Sequence, residues 1–260
     1  MRTVRQLFDL TGRNVLVTGG GRGLGEQMAR GFAEQGASLA LASRKKEACD
    51  AVAEDLAKRF GAKAVGLQVD VADEASVEAM VDAAEAALGP IDVLVNNAGA
   101  SWGAPAAEMP LAAWEKVMGV NARGTFLASR AVARRWIASG RRGCILNVAS
   151  VAGLQGSPPE VLDAVGYSAS KGAVVALTRD LAAKWARHGI RVNAVAPGFF
   201  PTDMTRVVLQ RAEEPLARLI PLRRTGGEDE LVGAALLLCS DAGGYITGQV
   251  LAVDGGLTAQ

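Results

Sequence analysis

Short apolar runs separated by longer amphipathic stretches constrain this chain more than any other feature. Residues 14–18, 38–43, 63–69, 91–95, 144–148 and 190–196 read as buried strands, and a last strand falls within 245–256. Helical periodicity fills the intervals, after Gly25 to about Gln35 and then over 45–60, 73–88, 111–138 and 166–187. Strands that alternate with helices need crossover connections, and these build a parallel sheet with helices on both faces. No linker or internal repeat interrupts the rhythm, so residues 1–260 read as one α/β domain.

Composition narrows the partners. Half of the 260 residues are hydrophobic, enough for a large core, and a net charge of +1 with scattered basic residues leaves no electrostatic footprint for nucleic acid. Cys49, Cys144 and Cys239 are odd in number and far apart, which argues against a disulfide framework and against a zinc site, and fits a reducing compartment. Residues 1–10 lack the apolar core of a signal peptide, and no run is long and apolar enough for a bilayer. A soluble, cytoplasmic protein without a membrane partner is expected. His188 is the one histidine, so no histidine-based triad or metal cluster is available, and no metal site is expected.

Three stretches carry chemistry. Gly19, Gly23 and Gly25 follow the first strand and open a helix, a spacing in which missing side chains let backbone N–H groups and a helix N-terminus approach a pyrophosphate. Tyr167 and Lys171 lie four apart on a helix, so both project from one face. A nearby ammonium favours the phenolate, which makes the pair a candidate proton donor and acceptor. Asn96-Asn97-Ala98-Gly99 stands just past the fourth strand, where open parallel sheets place ligands, although a plain turn also uses Asn and Gly. Asp70, ending the third strand, is a candidate acceptor for an adenine amino group, or simply the start of the next turn.

Together with Asn121, Ser150 and Pro197-Gly198-Phe199-Phe200-Pro201-Thr202, these motifs resemble the short-chain dehydrogenase/reductase family over about residues 10–256. The resemblance implies a Rossmann-type doubly wound sheet of seven strands in the order 3-2-1-4-5-6-7 and a catalytic tetrad of Asn121, Ser150, Tyr167 and Lys171. Tyr167 would give a proton to a carbonyl oxygen while a nicotinamide delivers hydride to its carbon, and Ser150 would hold that oxygen. Lys171 would lower the phenol pKa and bond the nicotinamide ribose, and Asn121 would position it through a water. Around the cofactor the resemblance places Gly19, Gly21, Arg22, Gly23, Leu24 and Gly25 at the pyrophosphate end. It adds Asp70 and Val71 beside the adenine, Asn97, Ala98 and Gly99 in the middle, and Pro197, Gly198 and Thr202 near the nicotinamide.

The end of the second strand selects the cofactor. An acidic residue there accepts bonds from a ribose 2′-hydroxyl, and its charge would repel a 2′-phosphate. Ser43 and Arg44 stand at that point instead, with Arg22 facing them from the glycine turn, so NADP(H) is expected over NAD(H).

Substrate signals are thinner. Residues 197–224 form the expected substrate lid. Its apolar side chains suit an acyl substrate or only cover the core, and Arg206 and Arg211 would meet a carboxylate or only water. Trp102 is a candidate pocket residue. Ser150 and Tyr167 are 17 apart, a few more than usual in the family, and the added loop at 155–163 should shape the pocket wall. The expected activity is a 3-oxoacyl-[acyl carrier protein] reductase-like reaction, with a sugar-acid or polyol dehydrogenase of the gluconate type as alternative. A non-catalytic dinucleotide-binding regulator is the reading from another class. Arg130, Arg134, Arg135, Arg141 and Arg142 would attract an acyl carrier protein or simply face water. The family resemblance implies a homotetramer, with a dimer as fallback.

Overall fold

The computed structural model describes residues 1–203, 205, 209, 216 and 218–260. Their strands are β1 (Asn14–Thr18), β2 (Ser38–Ser43), β3 (Ala64–Gln68), β4 (Val93–Asn96), β5 (Gly143–Val148), β6 (Ile190–Pro197) and β7 (Val250–Val253). They pair in parallel in the order β3-β2-β1-β4-β5-β6-β7. Helices whose bounds fall among the described residues are α1 (Val4–Phe8), α2 (Gly23–Glu34), α3 (Lys46–Phe60), α4 (Glu74–Leu88), α5 (Leu111–Met118), α6 (Gly124–Ser139), α7 (Val165–Trp185) and α8 (Val232–Cys239).

Strand residues alternate between two cores. Val15 and Val17 of β1 pack with Met28 and Phe32 of α2 on one face, whereas Leu16 joins Met80 of α4 and Trp136 of α6 on the other. Because both faces are covered, strand positions are apolar without a polar partner position, which is why the strands read as continuous runs. Trp136 is 1% exposed and donates its indole N–H to Ile91 O at 2.6 Å. A side chain on Gly143 would collide with that ring, its Cβ falling 2.3 Å from Cε3, so the strand begins on glycine. All three cysteines are buried free thiols. No helix among the described residues is long and apolar enough to cross a membrane.

One expected helix, 111–138, is not regular. It is interrupted at Gly119–Arg123 by a wide turn in which the N–H of Gly124 reaches Gly119 O, an i to i+5 bond. Such widened turns inside helices recur at functional sites, and Asn121 sits in the middle of this one.

Polar groups cross the sheet interior in one ladder. Asn96 donates from Nδ2 to Ser129 Oγ and to Asn147 Oδ1, both at 2.9 Å, and Asn147 donates to Thr178 Oγ1 at 2.9 Å. All four side chains are buried, so each bond satisfies a group that would otherwise cost about 1–3 kcal/mol unpaired. The ladder ties β4 and β5 to α6 and α7, the elements that carry the candidate catalytic side chains.

Candidate active site

The carboxyl ends of β1, β4, β5 and β6 meet at one edge of the sheet, and the singled-out motifs gather there. At β1 the chain turns through Gly19, with φ of +68°, a conformation that glycine adopts without a steric penalty. Thr18 Oγ1 accepts the N–H groups of Asn97 at 3.1 Å and Ala98 at 3.2 Å, and Asn97 Nδ2 donates to Thr18 O at 3.1 Å and Gly19 O at 2.9 Å. These bonds clamp the loop after β4 onto the glycine turn. A Cβ on Gly25 would stand 2.3 Å from Gly19 O and 2.4 Å from Asn97 Nδ2, so only glycine permits this approach. The result is a cradle of backbone at the N-terminus of α2, the kind of surface that suits a pyrophosphate. Leu24, in the first turn of α2, packs against the core from inside the cradle.

Asn121 is held from both sides. Its Oδ1 accepts Ala100 N–H at 2.8 Å, while Nδ2 donates to Ala100 O at 2.9 Å and to Ser170 Oγ at 2.8 Å. Ser170 in turn donates to Tyr167 O at 2.7 Å. Ser170 is fully buried and joins the widened turn to the start of α7, a link that the sequence does not announce although Ser170 lies between Tyr167 and Lys171.

Tyr167 and Lys171 do project from one face of α7, with Lys171 Nζ 5.7 Å from the phenol ring centroid. Lys171 is 5% exposed and donates to Val148 O, at the end of β5, at 2.6 Å. Burial pushes its ammonium down to about 8. The expected lowering of the Tyr167 pKa is not what this structure gives. Burial raises it, hydrogen bonding to Ser150 opposes the rise, and the net direction is upward. The physical reason is that the phenol is desolvated while the lysine beside it holds its own charge poorly. Gly99 bounds the space between the two polar groups beneath: a Cβ there would be 3.6 Å from Asn121 Oδ1 and 3.9 Å from Lys171 Nζ.

Comparison with known proteins rests on this frame. A family model described as enoyl-(acyl carrier protein) reductase matches residues 19–258. A short-chain type dehydrogenase/reductase from Mycobacterium marinum superposes with a TM-score of 0.95 at 37% identity, covering 99% of this chain and 100% of the other. The chain belongs to the short-chain dehydrogenase/reductase family. Galactitol 2-dehydrogenase (L-tagatose-forming) of Cereibacter sphaeroides is 43% identical over 256 residues, 98% of each chain. A gluconate 5-dehydrogenase from Burkholderia cenocepacia J2315, solved in complex with NADP and tartrate, matches with a TM-score of 0.93 at 41% identity over 99% of this chain and 100% of the other. As a member of this dehydrogenase/reductase family, the protein is an oxidoreductase.

Within this short-chain dehydrogenase/reductase the remaining singled-out residues divide into committed and uncommitted. Ser43 Oγ donates to Lys45 O at 2.8 Å and accepts from Cys49 Sγ at 3.3 Å, so it shapes the start of α3. Arg44 is exposed and has no ion pair among the described residues. Arg22 pairs with Asp203 at 3.0 Å, joining the glycine turn to the segment after β6. That partner was not anticipated. Thr202 lies against the same turn, 3.5 Å from where a Gly23 Cβ would be. Asp70 Oδ1 accepts Ala72 N–H at 3.0 Å, the turn-forming use, and Val71 is buried against Gly124 at the start of α6.

A cavity of about 220 Å³ opens beside Tyr167 and Ser150. Val151, Val161, Phe199, Leu219 and Leu257 supply its apolar wall, and Gly198, next after Pro197 at the end of β6, lies at its margin. The loop after Ser150 does line it, through Gln155, Gly156, Ser157, Pro158 and Leu162. Ser101 lines the cavity where Trp102 was expected, and Trp102 is 46% exposed. Arg206 and Arg211 lie outside the described residues.

The arginine cluster has a structural use. Arg130 pairs with Glu74, Arg134 with Glu78, Arg135 with Glu78, Asp82 and Glu85, and Arg141 with Asp92. Four of the five charges are thus matched by carboxylates of the same chain, mostly on α4, which leaves little unopposed positive field for an acidic carrier.

Proposed function

We propose that this oxidoreductase interconverts a ketone and a secondary alcohol with NADP(H) as preferred cofactor. The observation that carries the reading is the placement of Tyr167 and Ser150 together on the wall of one cavity, with Lys171 buried directly behind the phenol. The backbone cradle at Gly19 to Gly25 and the gap bounded by Gly99 fit an extended dinucleotide leading from the glycine turn to that cavity. When bound, the nicotinamide supplies the hydride.

This chain's residues do the rest. Tyr167, kept a neutral phenol by burial, holds the proton that a carbonyl oxygen needs in reduction. Ser150 stands with Tyr167 on the cavity wall and orients the same oxygen. Lys171, anchored on Val148 O, places a positive charge below the phenol and faces the gap where a ribose would lie. Asn121 fixes the loop after β4 and, through Ser170, the start of α7. At the other end, Arg44 is available to a 2′-phosphate, and Arg22 of the glycine turn is held on Asp203. The gluconate 5-dehydrogenase complex with NADP supports the cofactor assignment.

For the substrate, a small hydroxylated ketone or alcohol is favoured by the size of the cavity, about 220 Å³ against roughly 300–1,000 Å³ for common ligand pockets, and by the galactitol-oxidising relative. A 3-oxoacyl thioester is the second reading, supported by the apolar wall and the acyl carrier name of the family model. The one-domain organisation over 1–260, with residues 197–224 as the lid, and a homotetramer complete the proposal. The tetramer is supported by exposed Leu111, Phe126 and Val165 on α5, α6 and α7. The test is a screen of alditols, aldonates, small ketones and 3-oxoacyl thioesters with both cofactors, read at the nicotinamide absorbance. Turnover of none of them would end the reading.

A further inference from the structure

Directly after the widened turn, two buried hydroxyls stand one helical turn apart on α6. Thr125 Oγ1 donates to Asn121 O at 2.7 Å, and Ser129 Oγ donates to Thr125 O at 2.7 Å. Thr125 is 6% exposed and Ser129 is fully buried. A hydroxyl that bonds the carbonyl four residues back competes with the helix's own ladder, and such bonds bend helices. Here both follow the break in the i to i+4 spacing at Gly119–Arg123.

The two bonds belong to a closed ring. Ser129 Oγ, whose one proton goes to Thr125 O, accepts Asn96 Nδ2 at 2.9 Å at the end of β4. From Asn96 the chain runs to Ala100, whose N–H and C=O are both held by the Asn121 side chain, at 2.8 and 2.9 Å. Asn121 O then takes the Thr125 hydroxyl, which completes the circuit. The loop over 96–100 is therefore fastened to the helix at both ends, through Ser129 at one and through Asn121 at the other. Gly99, inside that loop, bounds the gap between Asn121 Oδ1 and Lys171 Nζ. On its other side the start of α6 is backed by the loop after β3, since a Cβ on Gly124 would fall 2.9 Å from Val71 Cγ2. Every polar side chain of the ring is buried, so water does not replace a bond that is removed.

We infer that Thr125 is a positioning residue of the active site: its hydroxyl holds the widened turn in the shape that aims the Asn121 amide at Ala100 and Ser170. It touches neither the cavity nor the cradle and acts through Asn121. Its role in turnover rests on the ketone–alcohol reading proposed above, whereas its role in holding Asn121 does not.

Thr125→Val keeps the branched shape and removes the hydroxyl, and Thr125→Ser keeps the hydroxyl. In a crystal structure of Thr125→Val, Asn121 Nδ2 should stand beyond about 3.5 Å from Ala100 O, outside hydrogen-bonding range, and in Thr125→Ser the bond should return. Turnover is measured with galactitol and D-gluconate plus NADP⁺ and with acetoacetyl-CoA plus NADPH, at a temperature where circular dichroism shows each variant folded. On the probes that the parent accepts, Thr125→Val should lower kcat about tenfold, the effect of one buried hydrogen bond, with KM little changed, and Thr125→Ser should recover kcat to within about twofold. A hydroxyl that only stabilised the fold would lower the melting temperature and leave kcat of the folded protein where it was. In an Asn121→Ala background, Thr125→Val should add nothing, because the group it acts through is gone. Should Thr125→Val fail to fold, Thr125→Ala removes the same bond with the best helix former at that position. Parent-like Asn121 bonds in the variant, an unchanged kcat, or a full further fall in the Asn121→Ala background each overturn the inference and leave the ketone–alcohol reading intact. A parent inert toward all three probes counts against that reading, and the variant structures then decide alone whether Thr125 holds Asn121.

Discussion

The glycine turn and the cavity wall face each other across the same sheet edge, and they are built on opposite plans. Around Gly19 and Gly25 the main chain is packed closely, with Thr18 and Asn97 spending their side chains on it and no room left for a Cβ. Around the cavity, side chains such as Ser101, Gln155 and Ser157 line the space. A surface made of backbone tolerates no substitution and reads what all dinucleotides share. A surface made of side chains changes with each substitution and reads what one substrate has. Tyr167 and Lys171 stand between the two.

Tyr167→Phe bears most heavily on this division. It should lower turnover at least about 10²-fold, the typical worth of a positioned proton donor, while cofactor affinity is retained. Turnover near the parent rate would remove Tyr167 from the chemistry, and a matching loss of cofactor affinity would place it on the dinucleotide side instead.

Lys171→Met sharpens the comparison by separating function from stability. Turnover and cofactor affinity should both fall, yet thermal denaturation should show a more stable fold by about 1–3 kcal/mol, because a buried ammonium is replaced by an apolar chain of similar length. The folded pKa of about 8 lies below the unfolded value of 10.5, so the folded state disfavours the proton. The parent therefore carries the full penalty below pH 8 and loses it as pH rises from 8 toward 10.5. The advantage of the variant should shrink over that window. An advantage that grows with pH would contradict the depressed lysine.

Gly25→Ala tests the backbone surface itself. With the added Cβ 2.3 Å from Gly19 O, the turn must move, at a cost of about 1–3 kcal/mol and at least about tenfold in cofactor affinity. Ser157→Ala, on the other surface, should stay within about 0.5 kcal/mol of the parent. Equal thermal shifts in the two would break the comparison. Arg44→Ala carries the smallest expected effect, a fall of about tenfold in the preference for NADPH over NADH measured as the ratio of kcat/KM values. An unchanged ratio would leave the 2′-phosphate to be read elsewhere.

The two plans also explain what was legible in the sequence. Parallel strands covered on both faces write themselves as apolar runs, so β1 and β2 coincide with the expected segments and the strand order follows from the family resemblance. The glycine turn was legible for the same reason, since close backbone approach leaves a mark in glycine. Asn121 was singled out, but the widened turn that holds it was not, because an extra residue in a helical turn barely disturbs the apolar period over 111–138. The direction of the Tyr167 shift was misjudged because spacing shows proximity to Lys171 but not the burial that weakens the charge. Asp203 as the partner of Arg22, and Ser101 and Gln260 on the cavity wall, depend on contacts between segments far apart in the chain. No local pattern carries these.

The cysteines have a consequence of their own. Cys49 lies against β2 through its bond to Ser43, and Cys144 donates to Leu238 O beneath α8, so a thiol reagent meets none of the three until the layers part. Modification should then proceed at the pace of transient opening rather than of the reagent's chemistry. The parent chain thereby contains its own clock: mass shifts counted over time under native conditions would report how often the face of the sheet covered by α2, α3 and α8 comes uncovered, without any residue being substituted.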